Sequence, residues 1–115
     1  MTYHGSCHCG AIKFKAEGTI AQVMECNCSL CRRRGGLLWF VPRASFTLES
    51  DADDLSTYTF NTHKLEHHFC STCGVAPFSE GIDPKGNAMA AVNVRCLDNV
   101  DLGTLKIVQF DGQSR

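Results

Sequence analysis

Seven of the eight cysteines in this chain fall into three tight groups. The groups are Cys7-His8-Cys9, Cys26-Asn27-Cys28-Ser29-Leu30-Cys31 and Cys70-Ser71-Thr72-Cys73. Cysteines spaced by one or two residues bring their thiolates together around one metal ion, and zinc is commonly held in this way. Two groups supply two ligands each, and the third supplies three. Because four protein ligands close a structural zinc site while three leave a position for chemistry, the sequence predicts one closed and one open site.

The two cysteine pairs are expected to form the closed site together. If Cys7 and Cys9 lie in a strand, their side chains point to the same side of it. Cys70 and Cys73 are separated by the two-residue spacer of a metal-binding knuckle, and the glycine that follows tolerates the positive φ such a turn often requires. Four thiolates around one ion would join opposite ends of the chain and contribute on the order of 10 kcal/mol to folding.

Two other uses of the paired cysteines are open. One is a disulfide, although a bridge across a single residue is strained and a reducing compartment disfavours it. The other is a thioredoxin-type redox pair at Cys70 and Cys73, which needs a βαβ setting that the pattern does not predict. Four thiolates also suit iron as well as zinc.

The three-cysteine group combines both spacings in one short segment, because Cys26, Cys28 and Cys31 can hold one face of a tetrahedron. Three thiolates make a bound zinc a soft and rather weak Lewis acid. Its open fourth position is expected to accept a thiol and to deprotonate it. The alternative is that another side chain closes this site and makes it structural: Cys96, His67 or His68. Cys96 is otherwise predicted to be a plain buried thiol in an apolar strand.

Basic residues and histidines near the cysteines are candidate substrate ligands. Arg32, Arg33 and Arg34 directly follow the three-cysteine group, and arginine geometry suits a substrate carboxylate. The alternative is a solvated turn whose charge offsets the thiolates. His67 and His68 could donate to a bound substrate or take a proton, and a plain surface or strand-filling histidine is the competing interpretation.

The length and net charge of the chain limit the kinds of function and partner that are expected. The 115 residues suit a single domain over 1–115, and 43% hydrophobic residues indicate a globular chain. A net charge of −1 gives no overall positive field, so neither nucleic acid nor a membrane is expected as a partner. The first residues lack the basic and apolar regions of a secretory signal, and a cytoplasmic protein is expected.

The spacing of apolar residues predicts a mainly β fold. Predicted strands cover residues 11–17, 21–25, 37–41, 46–49, 55–60, 64–69, 89–95 and 105–110. One short helix is expected after Cys28, continuing through Arg32 and Arg33. Short strands separated by turns indicate a sandwich-like or folded antiparallel sheet.

Four segments taken together resemble the glutathione-dependent formaldehyde-activating enzyme family, which includes centromere protein V-like proteins. They are GSCHCGAIKF at residues 5–14, CNCSLCR at 26–32, FCSTCG at 69–74 and VNVRCLD at 92–98. They span nearly the whole chain, in order, and they are specific in combination. The chain lacks the basic N-terminal extension of the centromere-type relatives, which argues against a cytoskeletal role.

The resemblance implies an Mss4-like antiparallel β-sheet fold, similar to that of small zinc-binding regulators of vesicle-traffic GTPases. It implies a structural zinc on four ligands: Cys7, Cys9, Cys70 and Cys73. It implies a second, catalytic-type zinc on three: Cys26, Cys28 and Cys31. The implied activity is that of a carbon–sulfur lyase that joins glutathione and formaldehyde into S-hydroxymethylglutathione or reverses that step. The rival interpretation is a non-catalytic zinc module that binds another protein.

Overall fold

The computed structural model describes residues 1–60 and 64–112 and shows ten β-strands and one α-helix in that part of the chain. The strands are β1 (Thr2–Ser6), β2 (Lys13–Glu17), β3 (Val23–Cys26), β4 (Leu38–Pro42), β5 (Phe46–Leu48), β6 (Leu55–Tyr58), β7 (Glu66–Cys70), β8 (Phe78–Ile82), β9 (Ala88–Asn93) and β10 (Ile107–Phe110). The helix α1 spans Ser29–Arg34. The described residues also include four short 3₁₀ helices: Arg43–Ser45, Ala52–Asp54, Val94–Cys96 and Leu102–Thr104. None of the helical segments described is long and apolar enough to cross a membrane.

The strands form two sheets. The smaller has the order β1-β2-β5 and is antiparallel throughout, and the larger has the order β10-β3-β4-β9-β8-β7-β6. In the larger sheet every neighbouring pair is antiparallel except β10 and β3, which run parallel with Phe110 opposite Cys26. The mainly β fold is confirmed, and its large sheet is mixed. A parallel neighbour needs a crossover connection, which the long segment between β9 and β10 supplies.

An aromatic core packs the two sheets together. Phe14 on β2 and Phe46 on β5 stack with ring centroids 5.3 Å apart. Phe46 in turn lies 4.3 Å from Phe78, which belongs to β8 of the larger sheet. In β2 the buried side chains Phe14 and Ala16 alternate with charged ones that reach towards solvent. This is the pattern of a half-buried strand, and it fixes which face of the smaller sheet enters the core.

Each of the eight predicted strands overlaps an observed one, and the helix expected after Cys28 is present as α1. Two strands were not predicted, β1 and β8. The predicted strand at 89–95 ends earlier than expected, because the chain turns into the 3₁₀ segment Val94–Cys96.

Candidate metal centres

Four cysteine sulfurs from opposite ends of the chain meet in one cluster, the four-thiol cluster: Cys7, Cys9, Cys70 and Cys73. The Sγ atoms of Cys7 and Cys9 are 3.7 Å apart, and those of Cys9 and Cys70 are 3.6 Å apart. A disulfide would bring two sulfurs to about 2.0 Å, and all eight cysteines are free thiols. Tetrahedral zinc with sulfurs at about 2.3 Å separates its ligands by roughly 3.8 Å, so the four thiols fit such an ion.

Two turns bring these four sulfurs together. Cys7 and Cys9 lie in a bend between β1 and β2 and not in a strand, so their shared direction does not come from strand alternation. The bend turns both side chains towards the turn that follows Cys70, the last residue of β7. In that turn Gly74 has a φ of 80°, as the knuckle requires, and its N–H donates to the Cys70 carbonyl at 2.9 Å. Cys7 and Cys70 are buried, and Cys73 is half-buried.

Backbone N–H groups point at the sulfurs of Cys70 and Cys73 and favour the thiolate form of these two cysteines, although the pKa of Cys9 is raised. The N–H of Thr72 lies 3.4 Å from Cys70 Sγ. Hydrogen bonds from the backbone N–H groups of Cys9 and Val75 lower the pKa of Cys73 to about 6. Metal ligation requires deprotonated sulfur, so this backbone arrangement suits a metal site.

A second cluster, the three-thiol cluster, is formed by Cys26, Cys28 and Cys31, whose sulfurs all lie within 4.8 Å of one another. Cys26 is the last residue of β3, and the other two stand at the start of α1. All three are half-buried, unlike Cys7 and Cys70 of the four-thiol cluster. Among residues 1–60 and 64–112, no further cysteine, histidine, aspartate or glutamate joins this group. In the described part of the chain, the protein therefore supplies three metal-binding side chains here, and one side of their sulfurs is accessible.

The first turn of α1 places two of these sulfurs on one face. Cys28 is the N-cap, and its Sγ accepts a hydrogen bond from the N–H of Cys31 at 3.4 Å. Residues three apart share a helix face, so both side chains point the same way. Burial raises the pKa of Cys31, and its hydrogen bond with Cys28 and the negative charge of Cys26 raise it further. A cation among the three sulfurs would relieve that repulsion, so this donor set also fits a soft metal ion.

Cys96 lies beside the four-thiol cluster. It lies in the 3₁₀ turn Val94–Cys96, so the prediction that it lies in a strand is wrong, and it packs half-buried against the hydrophobic core. Burial, followed by the charges of Cys7 and Cys73, raises the pKa of Cys96 to about 11. Its electrostatic neighbours therefore belong to the four-thiol cluster, and it does not close the three-thiol cluster.

The two neighbouring histidines also stay outside the three-thiol cluster. His67 is 8% exposed, and its Nδ1 lies 3.2 Å from the hydroxyl of Ser79. Burial, and then the charges of Arg34 and His68, lower the pKa of His67. His68 points to the opposite face of β7, since successive strand residues alternate. The role of His67 towards a substrate stays a prediction.

The three arginines of α1 have different surroundings. Arg34 lies over the ring of Phe69, 5.8 Å from its centroid. The guanidinium of Arg33 donates to the carbonyl of Ser29 at 2.8 Å. It also lines an open pocket of about 280 Å³, together with Ser29, Leu30, Tyr58 and Phe60. Successive residues of a helix are rotated by roughly 100° around its axis. The pocket residues of α1 therefore lie on the far side of the helix from the thiols, whereas Arg32 shares the face of Cys28.

The C-terminal strand reaches the three-thiol cluster, which sequence reasoning missed. The N–H of Asn27 donates to the carbonyl of Phe110 at 3.2 Å, and its side-chain amide donates to Asp111 at 3.2 Å. Both contacts follow from the parallel pairing of β10 with β3. A pairing between segments so far apart in sequence leaves no local pattern that would have predicted it.

Comparison with known proteins agrees with the resemblance. The family model described as glutathione-dependent formaldehyde-activating enzyme matches residues 2–109. A Halomonas elongata protein that bears this enzyme name provisionally is 34% identical over 89 residues, covering 66% of this chain and 54% of that protein. This chain thus spans about half the length of that relative. The crystal structure of a Rhodobacter sphaeroides protein shares 31% identity and a TM-score of 0.78, covering 94% of this chain and 100% of that one.

The family match extends over both cysteine clusters and nearly all of the described strands. Together with the structural likeness to the Rhodobacter sphaeroides protein, it confirms the resemblance seen in the four sequence segments. The chain belongs to the glutathione-dependent formaldehyde-activating enzyme family.

Proposed function

We propose that this protein is a zinc-dependent carbon–sulfur lyase that joins glutathione and formaldehyde into S-hydroxymethylglutathione or cleaves that adduct. One observation carries the proposal: Cys26, Cys28 and Cys31 converge from a single segment, and the described residues bring no fourth ligand of a metal-binding type to them. Family membership supports the choice of a thiol and an aldehyde as substrates.

The reaction balances without a redox partner. In the forward direction the sulfur of glutathione forms a bond to the carbonyl carbon, the π bond of formaldehyde breaks, and the thiol proton ends on the oxygen. In the reverse direction the carbon–sulfur bond breaks and the hydroxyl proton returns to sulfur. The protein must therefore hold the thiolate form of the substrate, orient it and accommodate one proton transfer.

The three-thiol cluster suits this task because it is half-buried. Cys26, Cys28 and Cys31 would hold the ion, and a small thiol can reach them from the accessible side. When bound there, zinc would supply a soft Lewis acid that stabilises a substrate thiolate. Arg32 stands on the same helix face and offers a cation for a carboxylate of glutathione.

The four-thiol cluster has a different proposed role. Its four sulfurs complete a tetrahedral ligand set, and Cys7 and Cys70 are 3% and 0% exposed. Cys9 is exposed and Cys73 half-buried, so the contrast with the three-thiol cluster rests on the ligand count: an ion held by four protein sulfurs would have no position for a substrate. We assign this cluster to structural zinc that joins the bend after β1 to the turn after β7.

The test is the rate of adduct formation above the uncatalysed rate, because glutathione and formaldehyde also combine without enzyme. Purified protein with its resident metal, whose content is measured first, is mixed with both reactants, and the S-hydroxymethyl signal is followed by NMR exchange spectroscopy. Wild-type protein should accelerate exchange in proportion to its concentration. Cys28→Ser should lose this acceleration, and Cys96→Ser, which changes a thiol outside the three-thiol cluster, should keep it.

Two results would overturn the proposal. One is an exchange rate with wild-type protein equal to the uncatalysed rate. The other is full acceleration by Cys28→Ser. A cobalt-substituted sample gives an independent readout, since glutathione should change the thiolate-to-cobalt charge-transfer band only if an accessible position exists at the metal.

A further inference from the structure

A third group of metal-binding side chains lies on the larger sheet, away from the cysteines. The Nε2 atom of His68 on β7 faces two carboxylates, with Glu66 Oε2 at 3.7 Å and Glu80 Oε2 at 3.4 Å. The His68 side chain is only 8% exposed, whereas that of Glu66 is 57% exposed. A buried imidazole nitrogen is therefore turned towards two acidic groups near the protein surface.

The strand register brings two carboxylates together, and Arg43 pairs with Glu80 while the charge of Glu66 faces His68. Glu66 on β7 and Glu80 on β8 are directly opposite each other in the antiparallel pairing. Like charges in such a cross-strand position repel and destabilise the sheet. His68 is the side chain between them, and whatever positive charge it binds or carries would compensate the repulsion.

The imidazole is held in one orientation from behind. The hydroxyl of Thr57 lies 2.8 Å from His68 Nδ1, a normal hydrogen-bond length. In the tautomer whose Nδ1–H donates to the Thr57 hydroxyl, Nε2 presents a lone pair to the two carboxylates. Fixing one ring nitrogen so that the other can bind a metal is the usual arrangement around ligating histidines.

The spacing of the ligand atoms is compatible with a metal ion at the centre of this group, and the contact between His68 Nε2 and Glu80 Oε2 is also within the range of a long hydrogen bond. A protonated Nε2 bonded to a carboxylate would bring nitrogen and oxygen to about 2.7–2.9 Å. The observed 3.4 and 3.7 Å exceed that range for both partners of His68. Ligands about 2.1 Å from one tetrahedral ion are separated by roughly 3.4 Å, which is close to both values.

Glu80 is also positioned from outside the group. The Nε atom of Arg43 lies 2.6 Å from Glu80 Oε1, which leaves Oε2 to face His68. Arg43 is itself held, because its Nη1 donates to the carbonyl of Phe46 at 2.9 Å. An open pocket of about 210 Å³ lies over the two carboxylates; its lining includes Glu66 and Glu80 together with the cations Arg43 and Lys64, but not His68.

We propose that Glu66, His68 and Glu80 form a binding site for a divalent first-row transition-metal ion, separate from both cysteine clusters. One imidazole nitrogen and two carboxylate oxygens suit Mn²⁺, Fe²⁺ or Zn²⁺, and the accessible pocket leaves further positions to water. The site does not depend on the lyase activity proposed above, since it shares no ligand with the three-thiol cluster.

Mn²⁺ is the probe of choice because it binds carboxylate and imidazole ligands well and thiolates poorly. Protein with its resident metal is titrated with Mn²⁺, and the free-ion signal is followed by electron paramagnetic resonance. Wild-type protein should remove a single equivalent of Mn²⁺ per chain from solution. Glu66→Gln should weaken this binding by about tenfold or more, the scale seen when even an outer partner of a metal ligand is lost.

The chain offers a matched control in an exposed histidine–carboxylate pair with one carboxylate only. His4 Nδ1 and Glu49 Oε1 are 3.6 Å apart, so Glu49→Gln removes a comparable charge and should leave Mn²⁺ binding unchanged. His68→Gln should abolish binding. If that variant does not fold, Glu66→Gln decides the question, because its side chain is largely exposed.

Two outcomes would overturn the proposal. Wild-type protein that leaves the free Mn²⁺ signal unchanged would show an ion-pair network without a metal. Equal affinity in wild type, Glu66→Gln and Glu49→Gln would show diffuse attraction of Mn²⁺ to acidic groups. Cys26→Ser should bind Mn²⁺ as wild type does, which separates this site from the three-thiol cluster and from the proposed enzyme activity.

Discussion

The backbone of Gly112 lies directly against the sulfur of Cys26. A Cβ atom added at residue 112 would stand 2.6 Å from Cys26 Sγ and 3.1 Å from the Cβ of Cys28. Real side-chain carbons do not approach other atoms as closely as 2.6 Å, so any larger residue must displace either the sulfur or the chain. The segment after β10 thus forms one wall of the three-thiol cluster, and glycine is what allows its close approach.

We expect Gly112→Ala to lose metal from the three-thiol cluster selectively. The added methyl group should push Cys26 Sγ out of the position that it shares with Cys28 and Cys31. Zinc retained after dialysis against a weak chelator should fall by up to one equivalent per chain, while the midpoint of thermal unfolding changes little. Elemental analysis and circular dichroism provide the two measurements.

Gly36→Ala is the matched control for Gly112→Ala. A Cβ at residue 36 would only meet the side chain of Asn93 at 3.5 Å, an ordinary van der Waals contact. This variant should keep wild-type zinc. Equal zinc content in Gly112→Ala and wild type would show that the segment after β10 moves aside without disturbing the three-thiol cluster, which would contradict this prediction.

We expect Cys70→Ser to destabilise the whole fold. Cys70 is fully buried and belongs to the four-thiol cluster, which joins the bend after β1 to the end of β7. Losing one ligand should remove a large part of the roughly 10 kcal/mol that a structural zinc contributes to folding. The midpoint of thermal unfolding should fall sharply, and a strong chelator added to wild-type protein should reproduce the change.

Cys96→Ser tests whether the loss of stability in Cys70→Ser comes from losing a metal ligand or from replacing any cysteine in that region. Cys96 lies close enough to the same cluster for the charges of Cys7 and Cys73 to affect its pKa, yet it is not among the four sulfurs that converge. Its replacement should leave both the zinc content and the response to chelator unchanged. A Cys70→Ser protein as stable as Cys96→Ser would contradict a structural role for the cluster.

The sequence predicted those parts of the fold that local chemistry determines. The alternation of residues 11–17 identified β2, and the cysteines of the three-thiol group marked the start of α1. Grouping the two cysteine pairs into one cluster was also possible, because a four-ligand site needs both halves.

Missed elements are those that only tertiary contacts determine. In β8 the residues Ser79, Glu80 and Gly81 have low strand propensity, and pairing with two neighbouring strands holds them extended. In β1, Gly5 also has low strand propensity, and its lack of a side chain allows the ring of Phe14 to pack against the backbone. The strand β10 itself was predicted, but its parallel pairing with β3 has no local signature, since β3 lies far away in the sequence.

The Glu66–His68–Glu80 group shows the same limit for a candidate site. Glu66 and His68 are two apart on β7, which is visible in the sequence, but Glu80 comes from β8 and joins them only through strand register. His67, one residue away, faces the other side of the sheet. A one-residue change in the register of β7 against β8 would have placed Glu80 on the face of His67, so sequence alone could not decide which histidine meets Glu80.

The three arginines of α1 give the final prediction, because helix geometry separates Arg32 from Arg33. Arg32 shares the face of Cys28, whereas Arg33 donates to the carbonyl of Ser29 on the far side of the helix. We expect Arg32→Gln to raise KM for glutathione by about tenfold, since Arg32 is exposed and its contact should contribute the lower end, about 1.5 kcal/mol, of what a hydrogen bond to a charged group gives. The value of kcat should change little, because the contact is made equally in the ground state and the transition state.

Initial rates over a range of glutathione concentrations measure this effect, and raising the salt concentration should reduce the difference between wild type and Arg32→Gln. Lys85→Gln removes an equally exposed cation from the turn after β8 and should leave KM unchanged. Arg33→Gln should raise KM less than Arg32→Gln does. The reverse order would place the glutathione carboxylate in the pocket beside Tyr58 and Phe60, on the side of α1 that faces away from the three sulfurs.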